Sequence, residues 1–121
     1  MDYHDIKVVE KPWGREIHFA VEDEYVGKIL EVHAGHRLSH QYHKKKKETL
    51  HVLEGRVKLS LGSEMEIVGP GKSVTINPGV NHRIEALDEA VVILEVSTTE
   101  LDDIVRLDDD YGRHEGRERR H

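Results

Sequence analysis

The sequence predicts an all-β protein, a sandwich or a closed barrel that forms one domain. Short strand-like runs follow one another along most of the chain, and turn residues separate them. No segment before residue 98 has the apolar periodicity of a helix. The length of 121 residues fits one domain and is too short for two independent cores. We expect the domain to span residues 1–113 and residues 114–121 to form a flexible tail.

Nine runs are candidate strands, and glycine or Pro-Gly turns punctuate the sequence between them. In chain order they are 16–21, 25–33, 37–43, 48–55, 56–62, 64–69, 73–77, 82–87 and 90–97. The segment 99–112 differs from these runs. Its apolar residues Leu101, Ile104, Val105 and Leu107 predict one or two helical turns.

Composition excludes several function classes. Eighteen basic and 24 acidic residues give a net charge of −6, which argues against a nucleic-acid partner. No apolar run approaches the roughly 20 residues of a membrane span. The N-terminus is charged from its second residue, unlike a secretory signal, so we expect a cytoplasmic protein. Because the chain has no cysteine, any metal ion must be held by nitrogen and oxygen ligands.

Several runs are apolar on both faces. Leu50 and Val52 alternate with His51 and Leu53, and residues 91–94 read Val-Val-Ile-Leu. A barrel has only one inward face, so an apolar outer face needs a cover. Either the N-terminal strands or a second subunit would supply it, and we favour a homodimer.

Four polar residues are spaced as metal ligands on strands. Gln41 and His43 are two residues apart and share a face, Glu48 opens the next run, and His82 follows a tight turn at 77–79. If all four face inward, a barrel gathers an amide oxygen, two imidazoles and a carboxylate. That set suits one divalent ion: zinc first, with manganese, iron, nickel or cobalt as alternatives.

Two motifs carry a resemblance to the cupin family. The first, over 35–55, reads G-x5-Q-x-H-x4-E-x6-G, with glutamine where the family has its first histidine. The second, over 71–82, reads G-x5-N-P-G-x2-H, with Asn77 in place of the usual proline. This resemblance implies a single cupin domain, which is a jelly-roll barrel of the double-stranded β-helix type.

Four further stretches limit the resemblance to one subgroup of cupins. Residues 11–16, 34–43, 79–85 and 102–113 resemble the cupin domain of type II phosphomannose isomerases. In that family the domain is usually the C-terminal part of a bifunctional mannose-1-phosphate guanylyltransferase. The same order of metal ligands, Gln-x-His, glutamate and a distant histidine, is found in phosphomannose isomerases generally.

The resemblance implies a metal-dependent aldose–ketose isomerase that converts mannose 6-phosphate to fructose 6-phosphate. Lys46, which matches a family arginine, and Arg83, which follows the last ligand, are candidates to bind the sugar phosphate. The general base is not assigned, because the face on which Glu95 lies is open. The alternatives are a non-catalytic module that binds metal and sugar, or a cupin that catalyses another metal-dependent reaction. Nothing in the chain resembles a Gly-rich nucleotide loop, so nucleotidyl transfer is not expected.

Overall fold

Eleven β-strands and no helix form from residues 1–113, which are the residues that the computed structural model describes. The strands are β1 (Lys7–Lys11), β2 (Gly14–Val21), β3 (Val26–Val32), β4 (His40–Tyr42), β5 (Glu48–Glu54), β6 (Val57–Leu61), β7 (Glu64–Val68), β8 (Ser73–Ile76), β9 (His82–Ala86), β10 (Val91–Ser97) and β11 (Val105–Asp108). The predicted tail, residues 114–121, lies outside the described residues. Within the described part, no helix is long and apolar enough to span a membrane.

The strands form two antiparallel sheets. One sheet has six strands in the order β1-β2-β3-β10-β5-β8, and the other has five in the order β11-β4-β9-β6-β7. Strands distant in the chain are therefore neighbours in space, as β3 and β10 show. The all-β prediction is confirmed, and each of the nine predicted runs contains a strand.

A single apolar core joins the two sheets. Alternate side chains of the central strands point inward, so Leu50 and Val52 of β5 and Ile93 of β10 meet Leu59 of β6 and Ile84 of β9. Each of these side chains is at least 95% buried. Full burial of one such side chain stabilises the fold by about 1.5–3 kcal/mol. This core fixes which residues of each strand face inward, and so it also orients the polar residues at the strand ends.

The N-terminal hairpin, β1 and β2, extends the six-stranded sheet at its edge. Lys11 is paired with Gly14 across a turn that contains Trp13. Gly14 has φ +153°, and a Cβ atom there would lie 1.9 Å from the carbonyl oxygen of Glu31. Only glycine therefore allows β2 to approach β3 this closely. The turn places Trp13 in the core, where it is 2% exposed.

The predicted helical turns in 99–112 are wrong. Residues 105–108 form β11, which pairs with β4, so that Val105 is opposite Tyr42 and Arg106 is opposite Gln41. The local sequence, rich in Asp, does not reveal a strand partner about 60 residues earlier in the chain. Tertiary pairing overrides a weak local helix propensity here.

Candidate metal centre

Three predicted ligands converge inside the barrel. One ligand atom each of His43, Glu48 and His82 lies within 4.8 Å of the other two. The three residues are 4%, 3% and 0% exposed, and the two imidazole ring centroids are 5.0 Å apart. Because these side chains come from separate strands and loops, their convergence is a product of the fold, as the alternation of the strands predicted.

Backbone carbonyl groups fix the tautomer of both histidines. Nδ1 of His43 donates to the carbonyl oxygen of Asp103 at 2.5 Å, and Nδ1 of His82 donates to that of Val80 at 2.9 Å. A carbonyl oxygen can only accept, so in the neutral ring Nε2 carries a lone pair. This arrangement is the one that second-layer groups impose on metal-binding histidines.

The inner ends of the three side chains lack hydrogen-bond partners in the part of the chain that the structure describes. Among the described residues, Nε2 of His43, Nε2 of His82 and Oε1 of Glu48 accept or donate no hydrogen bond, although all are buried. Nε2 of His43 lies 2.8 Å from Oε1 of Glu48. With the proton on Nδ1, these two atoms are both acceptors, and they require a proton or a metal ion between them. The residues present therefore fit a divalent ion.

The fourth predicted ligand, Gln41, lies beside this group. It is 7% exposed and is paired with His82 across β4 and β9. Its Oε1 accepts a hydrogen bond from the hydroxyl of Ser39 at 3.1 Å. An amide oxygen has two lone pairs, so one remains for an ion.

The protonation states of the ligands favour metal binding. Burial alone would raise the pKa of the Glu48 carboxyl, but His43 and Lys46 outweigh burial and lower this pKa below its usual range. Burial lowers the pKa of His82, because it disfavours the charged imidazolium. The site therefore presents a carboxylate and a neutral imidazole, the forms that bind metal ions.

One tight turn positions both histidines. The backbone N–H of Gly79 donates to the carbonyl oxygen of His43 at 2.7 Å, and the carbonyl oxygen of Val80 holds His82. Gly79 has φ +84°, which L-residues rarely adopt. The Asn77-Pro78-Gly79 sequence thus links the two histidine segments directly.

Asp103 organises the loop between His43 and Glu48. Its carboxylate accepts the backbone N–H groups of Lys44, Lys45 and Lys46 at 2.9, 2.7 and 2.9 Å. These hydrogen bonds, that of Lys44 first, lower the pKa of Asp103 to about 2. Asp103 lies in the stretch 102–113 that resembles the phosphomannose isomerases, and the sequence alone gives it no role. The structure shows that it fixes the loop that joins two ligands.

A lysine and a second glutamate lie next to the ligands. Nζ of Lys46 is 3.6 Å from Oε1 of Glu48 and 3.5 Å from Oε2 of Glu95, and all three residues are buried. Burial would lower the pKa of Lys46, but Glu95 and Glu48 raise it above its ordinary value. Burial, followed by the charge of Glu48, raises the pKa of Glu95. The sequence left the face of Glu95 open, and the structure shows that it faces inward.

These groups line a cavity of about 880 Å³. The volume lies within the range of roughly 300–1,000 Å³ that is typical of small-molecule sites. Gln41, His43 and Glu48 line one part of the cavity, and side chains of β1, β2 and β3 line another. The barrel therefore offers room for a ligand beside the candidate metal ligands.

Arg83, predicted to bind substrate, is not at this cavity. It lies between His82 and Ile84 on β9, and both of these neighbours face inward, so its side chain is on the opposite face. Nε donates to the carbonyl oxygen of Leu38 at 2.9 Å, and the guanidinium is 3.4 Å from both Asp108 and Asp110. Residues that follow one another in a strand do not share a face, so Arg83 could contact a substrate only outside this cavity.

Comparison with known proteins agrees with this arrangement. The family model of the cupin domain matches residues 28–97. The mannose-1-phosphate guanylyltransferase ManC of Salmonella typhimurium is 30% identical over 116 residues, which cover 93% of this chain and 24% of that protein. The mannose-1-phosphate guanylyltransferase of Escherichia coli is 32% identical over 109 residues, which cover 87% and 23%. The chain thus spans about a quarter of the length of these relatives and corresponds to their C-terminal part.

Solved structures share the fold at lower identity. KdgF from Halomonas sp. has a TM-score of 0.73 and 17% identity, with 82% of this chain and 91% of that chain covered. A cupin-2 domain from Rhodospirillum rubrum has a TM-score of 0.74 and 19% identity, with 86% and 78% covered. The segment 28–97 makes up more than half of the sequence and contains His43, Glu48 and His82. The chain therefore belongs to the cupin domain family.

Proposed function

We propose that this cupin is a metal-dependent aldose–ketose isomerase that interconverts mannose 6-phosphate and fructose 6-phosphate. The observation that carries the proposal is the set of three buried candidate ligand atoms that have no hydrogen-bond partner within residues 1–113, beside a cavity that also contains Lys46 and Glu95. The similarity to the C-terminal part of mannose-1-phosphate guanylyltransferases supports the choice of a mannose phosphate.

His43, Glu48 and His82, with Gln41, would hold the ion. Their nitrogen and oxygen atoms suit zinc, and manganese, iron, nickel or cobalt are alternatives. When bound, a divalent ion supplies electrophilic stabilisation of the negative charge that develops on the sugar oxygens. One carboxylate among neutral ligands leaves the centre with a net positive charge for this purpose.

Glu95 is positioned to move the carbon-bound proton. Its Oε2 is buried, has no hydrogen-bond partner among the described residues, and belongs to a carboxyl that lines the cavity. The isomerisation moves a proton from C2 of the aldose to C1, and a second proton from O2 to O1, with no net loss of atoms. The raised pKa of Glu95 makes it a stronger base than an ordinary carboxylate. Lys46 orients Glu95, and its ammonium has three N–H donors with which to reach a sugar oxygen as well.

The test is turnover of mannose 6-phosphate by protein loaded with each metal in turn, with fructose 6-phosphate detected through a coupled reaction. We expect activity that a chelator abolishes and that one metal restores. Glu95→Gln should lower kcat at least about a hundredfold, as expected for loss of a general base, while metal content stays unchanged. The matched control is Glu66→Gln on the exposed face of β7, which should behave as wild type. Absence of turnover with every metal would refute the proposal.

The alternative is a module that binds metal and sugar without turnover. One observation favours it: Lys46 and Glu95 form an ion pair with each other, as structural groups often do. In that case mannose 6-phosphate would raise the melting temperature of the metal-loaded protein, while no product forms and Glu95→Gln leaves the binding unchanged.

We also propose that a second copy of the chain covers the outer face of the six-stranded sheet. The N-terminal strands add to the edge of this sheet and do not cover it. Ile17, Ile29 and Leu94 are paired across β2, β3 and β10 on the outer face, and Val96 on the same sheet is 48% exposed. Light scattering should give about twice the monomer mass of 13.9 kDa. Leu94→Asp should yield monomers, whereas Met65→Asp on the other sheet should not; a wild-type monomer would contradict the proposal.

A further inference from the structure

Besides Lys7 at the start of β1 and Lys46 next to Glu48, four cationic side chains line the cavity. They are Lys11 of β1, Lys28 of β3, Arg106 of β11 and Arg113 near the end of the described segment. The first two come from the six-stranded sheet and Arg106 comes from the other sheet, so the fold brings both sheets and the C-terminal segment to one region. We refer to these four residues as the cation cluster.

The members of the cation cluster repel one another. Burial lowers the pKa of Lys11, and the charges of Arg106, Arg113 and Lys28 lower it further, although Glu16 acts in the opposite direction. Like charges gathered in a partly buried place cost free energy unless an anion accompanies them. The cavity beside the cluster provides room for one.

The carboxylates near the cluster position its members. Glu16 is shared, since its Oε1 is 3.4 Å from Nζ of Lys28 and 2.9 Å from Nε2 of His18. Asp109 accepts hydrogen bonds from Nε and Nη2 of Arg113 at 2.9 and 3.1 Å. Glu16 also attracts Lys11 but does not restore its pKa to the ordinary value. The two carboxylates therefore orient Lys28 and Arg113, while the pKa of Lys11 is lowered first by burial and then by the three neighbouring cations.

The two residues that the sequence suggests as phosphate anchors are each paired with two carboxylates. Lys46 lies between Glu48 and Glu95, and Arg83 is on the far side of β9. Lys28 is paired with Glu95 across β3 and β10, so the cation cluster begins one strand spacing, about 4.8 Å, from the proposed base. A six-carbon sugar phosphate is long enough to reach from one group to the other.

We propose that Lys11, Lys28, Arg106 and Arg113 form an anion subsite that binds the phosphate group of the sugar while its carbonyl end lies at the metal centre. The identity of the sugar rests on the proposed function, whereas the subsite itself is a property of the cluster. Guanidinium groups bind phosphate oxygens in pairs, and ammonium groups act as point charges, so the mixed cluster suits a phosphate monoester.

The direct test uses inorganic phosphate as the probe and the full chain without added metal. Calorimetric titration at low ionic strength should show one site, since screening weakens the attraction at higher salt. Lys11→Gln removes one charge from a half-exposed position and should weaken phosphate binding about tenfold. Lys11→Arg keeps the charge and should retain binding. Lys72→Gln, an exposed residue in the β7–β8 turn, is the matched control and should bind as wild type. No phosphate binding by the wild type, or equal binding by Lys11→Gln, would overturn the subsite.

Kinetics separate this inference from the proposed function. With turnover established, Lys11→Gln should raise KM for mannose 6-phosphate about tenfold with little change in kcat, because the lost contact is made equally in ground and transition states. An unchanged KM would contradict the proposed anion subsite without contradicting the proposed isomerase activity. If no turnover occurs but phosphate binding depends on Lys11, the isomerase proposal is contradicted and the subsite proposal is supported.

Discussion

The carbonyl oxygen of Asp103 accepts a hydrogen bond from Nδ1 of His43 at 2.5 Å, across 60 residues of sequence. The carboxylate of the same aspartate binds the three backbone N–H groups that follow His43. Asp103 therefore supports the first histidine ligand and the loop that leads to Glu48.

Removing this carboxylate should weaken metal binding without removing a ligand. In Asp103→Ala the loop loses three hydrogen bonds, and Glu48 is held less firmly opposite His43. We expect the metal dissociation constant to rise about 10–100-fold, as when other supporting groups of metal sites are changed. Competition with a chelator measures the change. Asp88→Ala, in the exposed β9–β10 turn, is the control, and equal affinities of the two variants would contradict the role of Asp103.

The two imidazoles should account for most of the metal content. The double variant His43→Asn and His82→Asn leaves Glu48 and Gln41, which are too few to retain the ion. Elemental analysis should fall from one ion per chain to almost none. His51→Asn, on the outer side of β5 and hydrogen-bonded to Ser73, serves as the control and should keep full metal content. Full metal content in the double variant would place the ion elsewhere.

Asp109 should make stability depend on acid pH. Burial would raise the pKa of this carboxyl, but hydrogen bonds from Arg113 outweigh burial and lower the pKa below its ordinary value of 3.8. A lowered folded-state pKa contributes stability above pH 3.8, and this contribution is lost as the pH falls through the folded-state pKa. Asp109→Asn should therefore unfold at lower urea concentration than wild type at pH 7. The difference should shrink below pH 3.8, and a difference independent of pH would exclude the carboxylate charge as its cause.

Three glycines should respond to alanine in a graded way. Gly79→Ala meets no atom within 4 Å but retains φ +84°, so we expect a loss of about 1–2 kcal/mol in the free energy of unfolding. Gly14→Ala should cost more, because its Cβ would overlap the carbonyl oxygen of Glu31. Gly69→Ala has neither problem and should be neutral or slightly stabilising. Urea unfolding ranks the three, and a different order would contradict the turn geometry described above.

Strand alternation was sufficient to predict the centre of the site. The side chains of His43, Glu48 and His82 each point inward. Because side chains alternate along a strand, one known inward residue is enough to identify the other inward residues of that strand. The same rule puts the side chain of Arg83 on the outer face, since a neighbour of an inward histidine must face outward. The face on which Glu95 lies could not be predicted, because β10 is apolar on both faces and its sequence does not show which residues point inward.

The remaining parts depend on contacts between distant segments. Asp103 and Arg106 reach the site only because β11 pairs with β4, and the sequence of 99–112 does not predict that pairing. Lys11 lies in β1, which did not appear among the predicted strands because its apolar residues are few and its ends are charged. From the local sequence, charged residues of this kind are predicted to lie on the surface. Only the assembled sheet shows that they line a cavity.

The hydrogen bond from His43 to Asp103 also has consequences for the assembly of the site during protein synthesis and for the effect of proteolysis on it. The ring of His43 is oriented only when the segment beyond β10 has joined the five-stranded sheet. A ribosome-bound chain that ends before residue 103 would contain all four candidate ligands and still lack the partner that orients one of them. Metal capture should consequently follow the synthesis of residue 103, and proteolysis between β10 and β11 should release the ion while most of the core stays folded.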